Sequence, residues 1–94
     1  MSADMSFSRI CSILGNGNVS AGIALAGKLA ERLTFARTKH PVFAEGVYQG
    51  LGRITGEYEE LVHAVEHETC DRQFDEVLDV IVTAIRFANR EYAP

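Results

Sequence analysis

Apolar positions recur along this chain at the three- and four-residue steps of helices, and no stretch alternates as a half-buried strand does. Phe7, Ile10, Cys11 and Leu14 have this spacing and predict a short first helix. Residues 1–8 are small and polar and are expected to fray. Gly15-Asn16-Gly17-Asn18 then breaks the pattern. The break lacks the third glycine, the lysine and the preceding strand of a phosphate-cradling loop, so it reads as a linker. Asn18 or Ser20 is placed to cap the next helix, because a short side-chain oxygen accepts a free N–H of the first helical turn.

That second helix is expected from about Ala21 to Lys39. Ile23, Leu25, Ala26, Leu29, Ala30, Leu33 and Ala36 give it one broad apolar face, with Lys28, Arg32 and Lys39 on or near the other. Pro41 stops it, and His40 before the proline is pushed out of helical geometry. A third helix is expected from about Phe43 to Glu68. Val47, Leu51, Ile54, Tyr58, Leu61 and Val65 step by four and three, a heptad-like seam suited to packing on another helix. Gly46, Gly50, Gly52 and Gly56 each cost about 1 kcal/mol against alanine there. They predict local distortion or the close approach of a neighbour. Thr69-Cys70-Asp71 is the turn, with Asp71 or Thr69 as cap. A fourth helix is expected from about Arg72 to Tyr92, with Phe74, Val77, Leu78, Ile81, Ile85, Ala88 and Tyr92 as its seam.

The short turn makes the last two helices an antiparallel hairpin. The expected fold is all-α: this hairpin plus the preceding long helix, completed to a four-helix-bundle-like core by oligomerisation. Residues 1–18 read as an N-terminal segment of short helix and Gly/Asn linker, and 19–94 as one helical domain. At 94 residues there is no room for a second domain. A chain of this size buries only about 60–65% of its unfolded surface, which favours subunit association as the way to finish the core.

Composition narrows the class. Hydrophobic residues are 47% and charged residues 23%, a globular balance. No apolar run approaches the ~20 residues of a membrane span, and the start lacks the order of a signal peptide. Cys11 and Cys70 are too few for a disulfide framework and read as reduced thiols, which points to the cytoplasm. A net charge of −4 argues against nucleic acid as partner.

The charge is unevenly spread. Nine of the 13 acidic residues fall between Glu57 and Asp79, opposed there only by Arg72. Glu57 and Glu60 are three apart on one face of the third helix, and Glu76 and Asp79 repeat the spacing on the fourth. An antiparallel hairpin lets the two pairs face each other at the edge of the core. Four converging carboxylates repel unless a cation compensates. Hard divalent ions with oxygen ligands do so, and Mg²⁺ is the usual one where phosphates are handled.

The segments Glu57-Tyr58-Glu59-Glu60 and Glu76-Val77-Leu78-Asp79 resemble the ExxE…ExxD signature of the MazG-like all-α nucleoside triphosphate pyrophosphohydrolases. Asp79-Val80-Ile81-Val82-Thr83-Ala84-Ile85 is similar to the apolar helix that carries on from it in that family. The resemblance covers about residues 43–92. It implies a helical bundle built from two or more subunits and Mg²⁺ held by Glu57, Glu60, Glu76 and Asp79, with Mn²⁺ as a substitute. It also implies hydrolysis of a nucleoside triphosphate to monophosphate and pyrophosphate, in nucleotide-pool cleaning. Glu59 would help to orient water. Two features depart from the family pattern. Gly56 stands where many members have a further glutamate, and Arg86, Asn89 and Arg90 stand where an asparagine or lysine is common.

Further expectations concern the substrate. Arg53 and Arg86 are expected to contact phosphate, and Gly46 and Gly50 to leave space for the nucleoside. Asn89, on the same region of the fourth helix, and Lys28 are further candidate substrate contacts. Lys28 and Arg32 read as a solvated face that a neighbouring subunit could use. His63-Ala64-Val65-Glu66-His67 matches the HxxEH pattern of some zinc proteases, whose third ligand comes from a much larger scaffold; here it reads as a surface or interface pair. A non-catalytic helical oligomer or adaptor would explain the seams equally well and leave the acidic clusters incidental.

Overall fold

The computed structural model describes residues 5–94. Four helices occur in order: α1 Phe7–Leu14, α2 Val19–Lys39, α3 Val47–His67 and α4 Cys70–Ala88. No strand occurs among the described residues, as the all-α expectation requires. The expected fraying covers residues 1–4, outside the described residues, and 5–8, where α1 is already formed from Phe7. Ser6 starts that helix by accepting the Arg9 N–H at 3.1 Å. Asn18 does the same for α2 through Oδ1, taking the Ala21 N–H at 3.0 Å. Thr69 caps α4 through the Arg72 N–H at 3.3 Å. No single helix among the described residues is long and apolar enough to cross a membrane.

The chain divides into two compact units, one ending at Glu31 and the other spanning Arg32–Pro94, so the division falls inside α2 rather than at the glycine linker. In the first unit, α1 and α2 meet backbone to backbone. Cys11 is fully buried, and a methyl group on Gly22 would overlap the Cys11 carbonyl. Glycine is what allows that approach.

In the second unit α3 packs on α4. Phe43, Ala44, Ala64, Leu78 and Val82 form the buried apolar centre. Two helix boundaries differ from the expected ones, for a common reason. Residues 43–46 were expected to be helical, but they spend their backbone groups on the C-terminal tail. The Phe43 N–H donates to the Glu91 carbonyl at 2.9 Å and the Ala93 N–H to the Ala44 carbonyl at 2.9 Å, forming a parallel bridge between Ala44 and Tyr92. The tail reaches them because α4 stops at Ala88 instead of running to Tyr92. Asn89 is its C-cap, and Arg90, at φ 52°, turns the chain back.

The hairpin packs as expected, but four of the six α3 seam residues are largely exposed, while Ile54 and Leu61 are half-buried. Val47 is 51%, Leu51 54%, Tyr58 58% and Val65 58% exposed. The fully buried positions of α3 are Gly50 and Ala64, on the same face as Ile54 and Leu61. A methyl on Gly50 would lie 2.9 Å from Phe87 Cδ2 and 3.2 Å from Phe43 Cε2. The room beside Gly50 is therefore filled by two aromatic rings, which corrects its expected role as nucleoside space. Beside Gly46, by contrast, an added Cβ meets nothing within 4 Å.

Candidate metal centre

Antiparallel packing sets the middle of α3 against the first half of α4. There Glu57, Glu76 and Asp79 offer carboxylate oxygens that all lie within 4.8 Å of one another. Glu60, one turn beyond Glu57, adds negative charge at the edge. Burial pushes the Glu57 carboxyl up to about 7, helped by the negative charge of Glu60, Asp79 and Glu76. Burial also raises Glu76, as do the charges of Asp79 and Glu60, while Arg72 opposes them.

Glu76 carries the strongest signal. It is only 8% exposed, and its Oε2 is buried without a hydrogen-bond partner. Such an oxygen is costly unless something satisfies it. Its other oxygen, Oε1, accepts from Arg72 Nη2 at 3.0 Å. Asp79 Oδ1 accepts from Arg32 Nη1 at 2.8 Å. An all-carboxylate donor set with an unsatisfied buried oxygen fits a hard divalent cation such as Mg²⁺ or Mn²⁺.

A hollow of about 280 Å³ opens beside the carboxylates. Glu57, Asp79, Arg53, Thr83, His40 and Arg86 form its polar wall, and Ala36, Val42, Phe43 and Val82 its apolar wall. Arg53 is exposed and borders this hollow and a second one beside Glu57 and Glu60. Its Nε donates to the Phe43 carbonyl at 3.3 Å, which steadies the guanidinium at the rim.

No family model, no curated protein and no solved structure matches this chain.

The site residues expected from sequence fall into three groups. Glu57, Glu76 and Asp79 converge, with Glu60 adjoining. Glu59 is exposed and borders an open hollow with Glu60, His63, Arg72 and Glu76. Arg53 is at the rim, where a phosphate contact would require it.

Arg86 is corrected. It is 3% exposed, and all three guanidinium nitrogens donate to protein oxygens. Nε meets Glu91 Oε1 at 2.8 Å, Nη1 the Ala36 carbonyl at 3.4 Å and Nη2 the His40 carbonyl at 2.7 Å. Its charge also lies 5.5 Å from the centre of the Phe43 ring. Arg86 clamps the loop after α2 and lines the hollow with its guanidinium nitrogens already engaged by protein oxygens. Asn89 serves as the α4 cap, and Lys28 belongs to the first unit. His63 and His67 stand exposed with ring centroids 4.8 Å apart. No group of three metal-ligating residues among the described ones includes them.

Arg32 makes contacts with the acidic helix that sequence reasoning missed. It is not a solvated cation: it forks over Asp75 and Asp79 at 2.7 and 2.8 Å. The available signal was the Asp75–Asp79 spacing of one helical turn, which makes a two-carboxylate acceptor for a planar guanidinium. Which arginine would fill it depends on how α2 is placed, and no local pattern reveals that.

Proposed function

We propose that this chain is a Mg²⁺-dependent nucleoside triphosphate pyrophosphohydrolase that acts as a homodimer or homotetramer. The observation that supports it most is the convergence of Glu57, Glu76 and Asp79 around a buried, unpartnered Glu76 oxygen. Those three residues, with Glu60, would hold the cation. When bound, the cation supplies neutralisation of the triphosphate charge and acidification of the attacking water. Arg53, at the rim of the adjoining hollow, meets non-bridging phosphate oxygens. The mixed polar and apolar walls of that hollow receive the nucleoside. Without a cation, burial and the neighbouring carboxylates hold Glu57 up to about 7, so a cation bound there would displace a proton near neutral pH. Glu59 lies outside the group of three and has no part in this reading beyond local negative charge.

The exposed α3 seam supports self-association, and it also favours a second reading as a non-catalytic helical oligomer. One experiment separates them. Pyrophosphate release is measured across common and modified ribo- and deoxyribonucleoside triphosphates, with Mg²⁺ and with EDTA. The enzyme reading requires cation-dependent release that Glu76→Gln abolishes. A folded, associated protein that releases none from any triphosphate would leave the oligomer reading in its place.

A further inference from the structure

We infer that Arg32, Asp75 and Arg72 form a bracket that positions the two α4 carboxylates of the cation site, and that its geometry sets cation affinity. The inference rests on the cation-site reading. Asp75 stands between arginines of two helices: Oδ1 accepts from Arg32 Nη2 at 2.7 Å and Oδ2 from Arg72 Nη1 at 3.4 Å. Each arginine then reaches one carboxylate of the site, Arg32 to Asp79 Oδ1 at 2.8 Å and Arg72 to Glu76 Oε1 at 3.0 Å. One oxygen of each α4 carboxylate is thereby held by a guanidinium. Glu76 Oε2 remains buried and unpartnered beside them.

Asp75 is not in the group of oxygens within 4.8 Å and touches no cation placed there. It acts through the two arginines and is a positioning residue. A carboxylate on a mobile stem loses rotamer freedom when a cation orders it. Groups already fixed by a planar fork have less to lose, and partners of metal ligands typically matter by about 10–100-fold in affinity or activity. Arg32 spans two acceptors at once, which the single ammonium of lysine cannot do in the same way. The negative charge of Asp75 between the guanidiniums also offsets their repulsion of a cation.

The test is Mn²⁺ binding to the full chain by calorimetry, with thermal unfolding in EDTA as the control for folding. Asp75→Asn and Arg32→Lys are expected to weaken Mn²⁺ binding about tenfold, with little change in unfolding temperature. Asp71→Asn, which removes an acid from the first turn of α4, leaves affinity unchanged. Arg32→Lys keeps the charge, so wild-type affinity in that variant would mean that charge alone acts and would overturn the bracket. Tighter Mn²⁺ binding in either variant would overturn it too, by making the arginines competitors of the cation. Arg72→Lys tests the second arm should one variant fail to fold. A wild-type chain that binds no Mn²⁺ would instead remove the cation-site reading on which the bracket rests.

Discussion

Arg86 Nε meets Glu91 Oε1 at 2.8 Å, and this pair ties the end of α4 to the tail that pins residues 43 and 44. Arg37 holds the other oxygen of Glu91 at 2.7 Å. The two arginines bring the Glu91 carboxyl down to about 2, Arg37 contributing the larger hydrogen bond. The loop they fasten carries Val42 and Phe43, which form part of the apolar wall of the hollow beside the carboxylates.

Glu91→Gln should therefore destabilise the fold at neutral pH. It removes one partner of a buried guanidinium, a change that costs about 3 kcal/mol in comparable settings. The pH dependence has a definite sign. The folded pKa of about 2 lies below that of an unfolded glutamate, so the pair's stabilisation is complete above the unfolded value. It is lost as pH falls from there through about 2. Thermal unfolding of wild type and Glu91→Gln should show a gap at pH 7 that closes over that acid range. A gap that persists unchanged at the acid end would show that Glu91 acts by shape rather than charge.

The cation site makes a second prediction. Binding to the folded state alone raises stability by about 2.7 kcal/mol when free ligand is a hundred times its dissociation constant. Millimolar Mg²⁺ should raise the unfolding temperature of the wild type. In Glu76→Gln that rise should vanish, while the variant in EDTA is at least as stable as wild type. The gain in EDTA comes from removing a buried carboxylate that burial already pushes toward its neutral form. An equal Mg²⁺-induced rise in both proteins would place the ion elsewhere.

The candidate site was legible where chemistry is periodic. Glu57 and Glu60 on one helix and Glu76 and Asp79 on the next come from helical spacing and a short turn alone. Thr69 and Asn18 as caps come from the same local rules. Roles that depend on packing were not legible. Arg86 and Arg53 are both arginines near the acidic hairpin, yet one is a buried clamp and the other lies at the rim. The difference comes from the loop after Lys39 and the tail after Asn89, whose pairing has no periodic signature. The outward turn of most α3 seam residues is of the same kind. Gly50 and Ala64 let α4 approach closely, and of the seam residues only Ile54 and Leu61 share that face.

Gly50 and Gly52 give a third prediction, with opposite signs on one helix. Leucine at Gly50 must displace Phe87 and Phe43, and overpacking of this kind costs about 1–3 kcal/mol. The loss should appear in thermal unfolding before any kinetic effect. At Gly52 a methyl meets nothing within 4 Å. Gly52→Ala should therefore gain up to about 1 kcal/mol from helix propensity. Denaturant midpoints of the two variants, compared at equal slope, decide both. A Gly50→Leu protein as stable as wild type would mean that the ring contacts carry little energy.

The exposed seam of α3 gives the last prediction. Val47, Leu51, Tyr58 and Val65 recur at four- and seven-residue steps, and each is more than half exposed. Fully burying a valine- or leucine-sized side chain contributes about 1.5–3 kcal/mol. Four such residues in one line are a large unspent driving force for association. A second copy offering the same seam antiparallel would bury both at once, as two-fold symmetry allows. Light scattering on the wild type should give a mass of two chains or more at micromolar concentration. Leu51→Glu and Val65→Glu together should shift it to one chain, because like charges would then be forced into an apolar contact. Neither residue lies in the carboxylate group, so Mn²⁺ binding in the double variant reports whether the cation site is complete within one chain. A wild type that remains monomeric would remove self-association and leave the seam for a different helical partner.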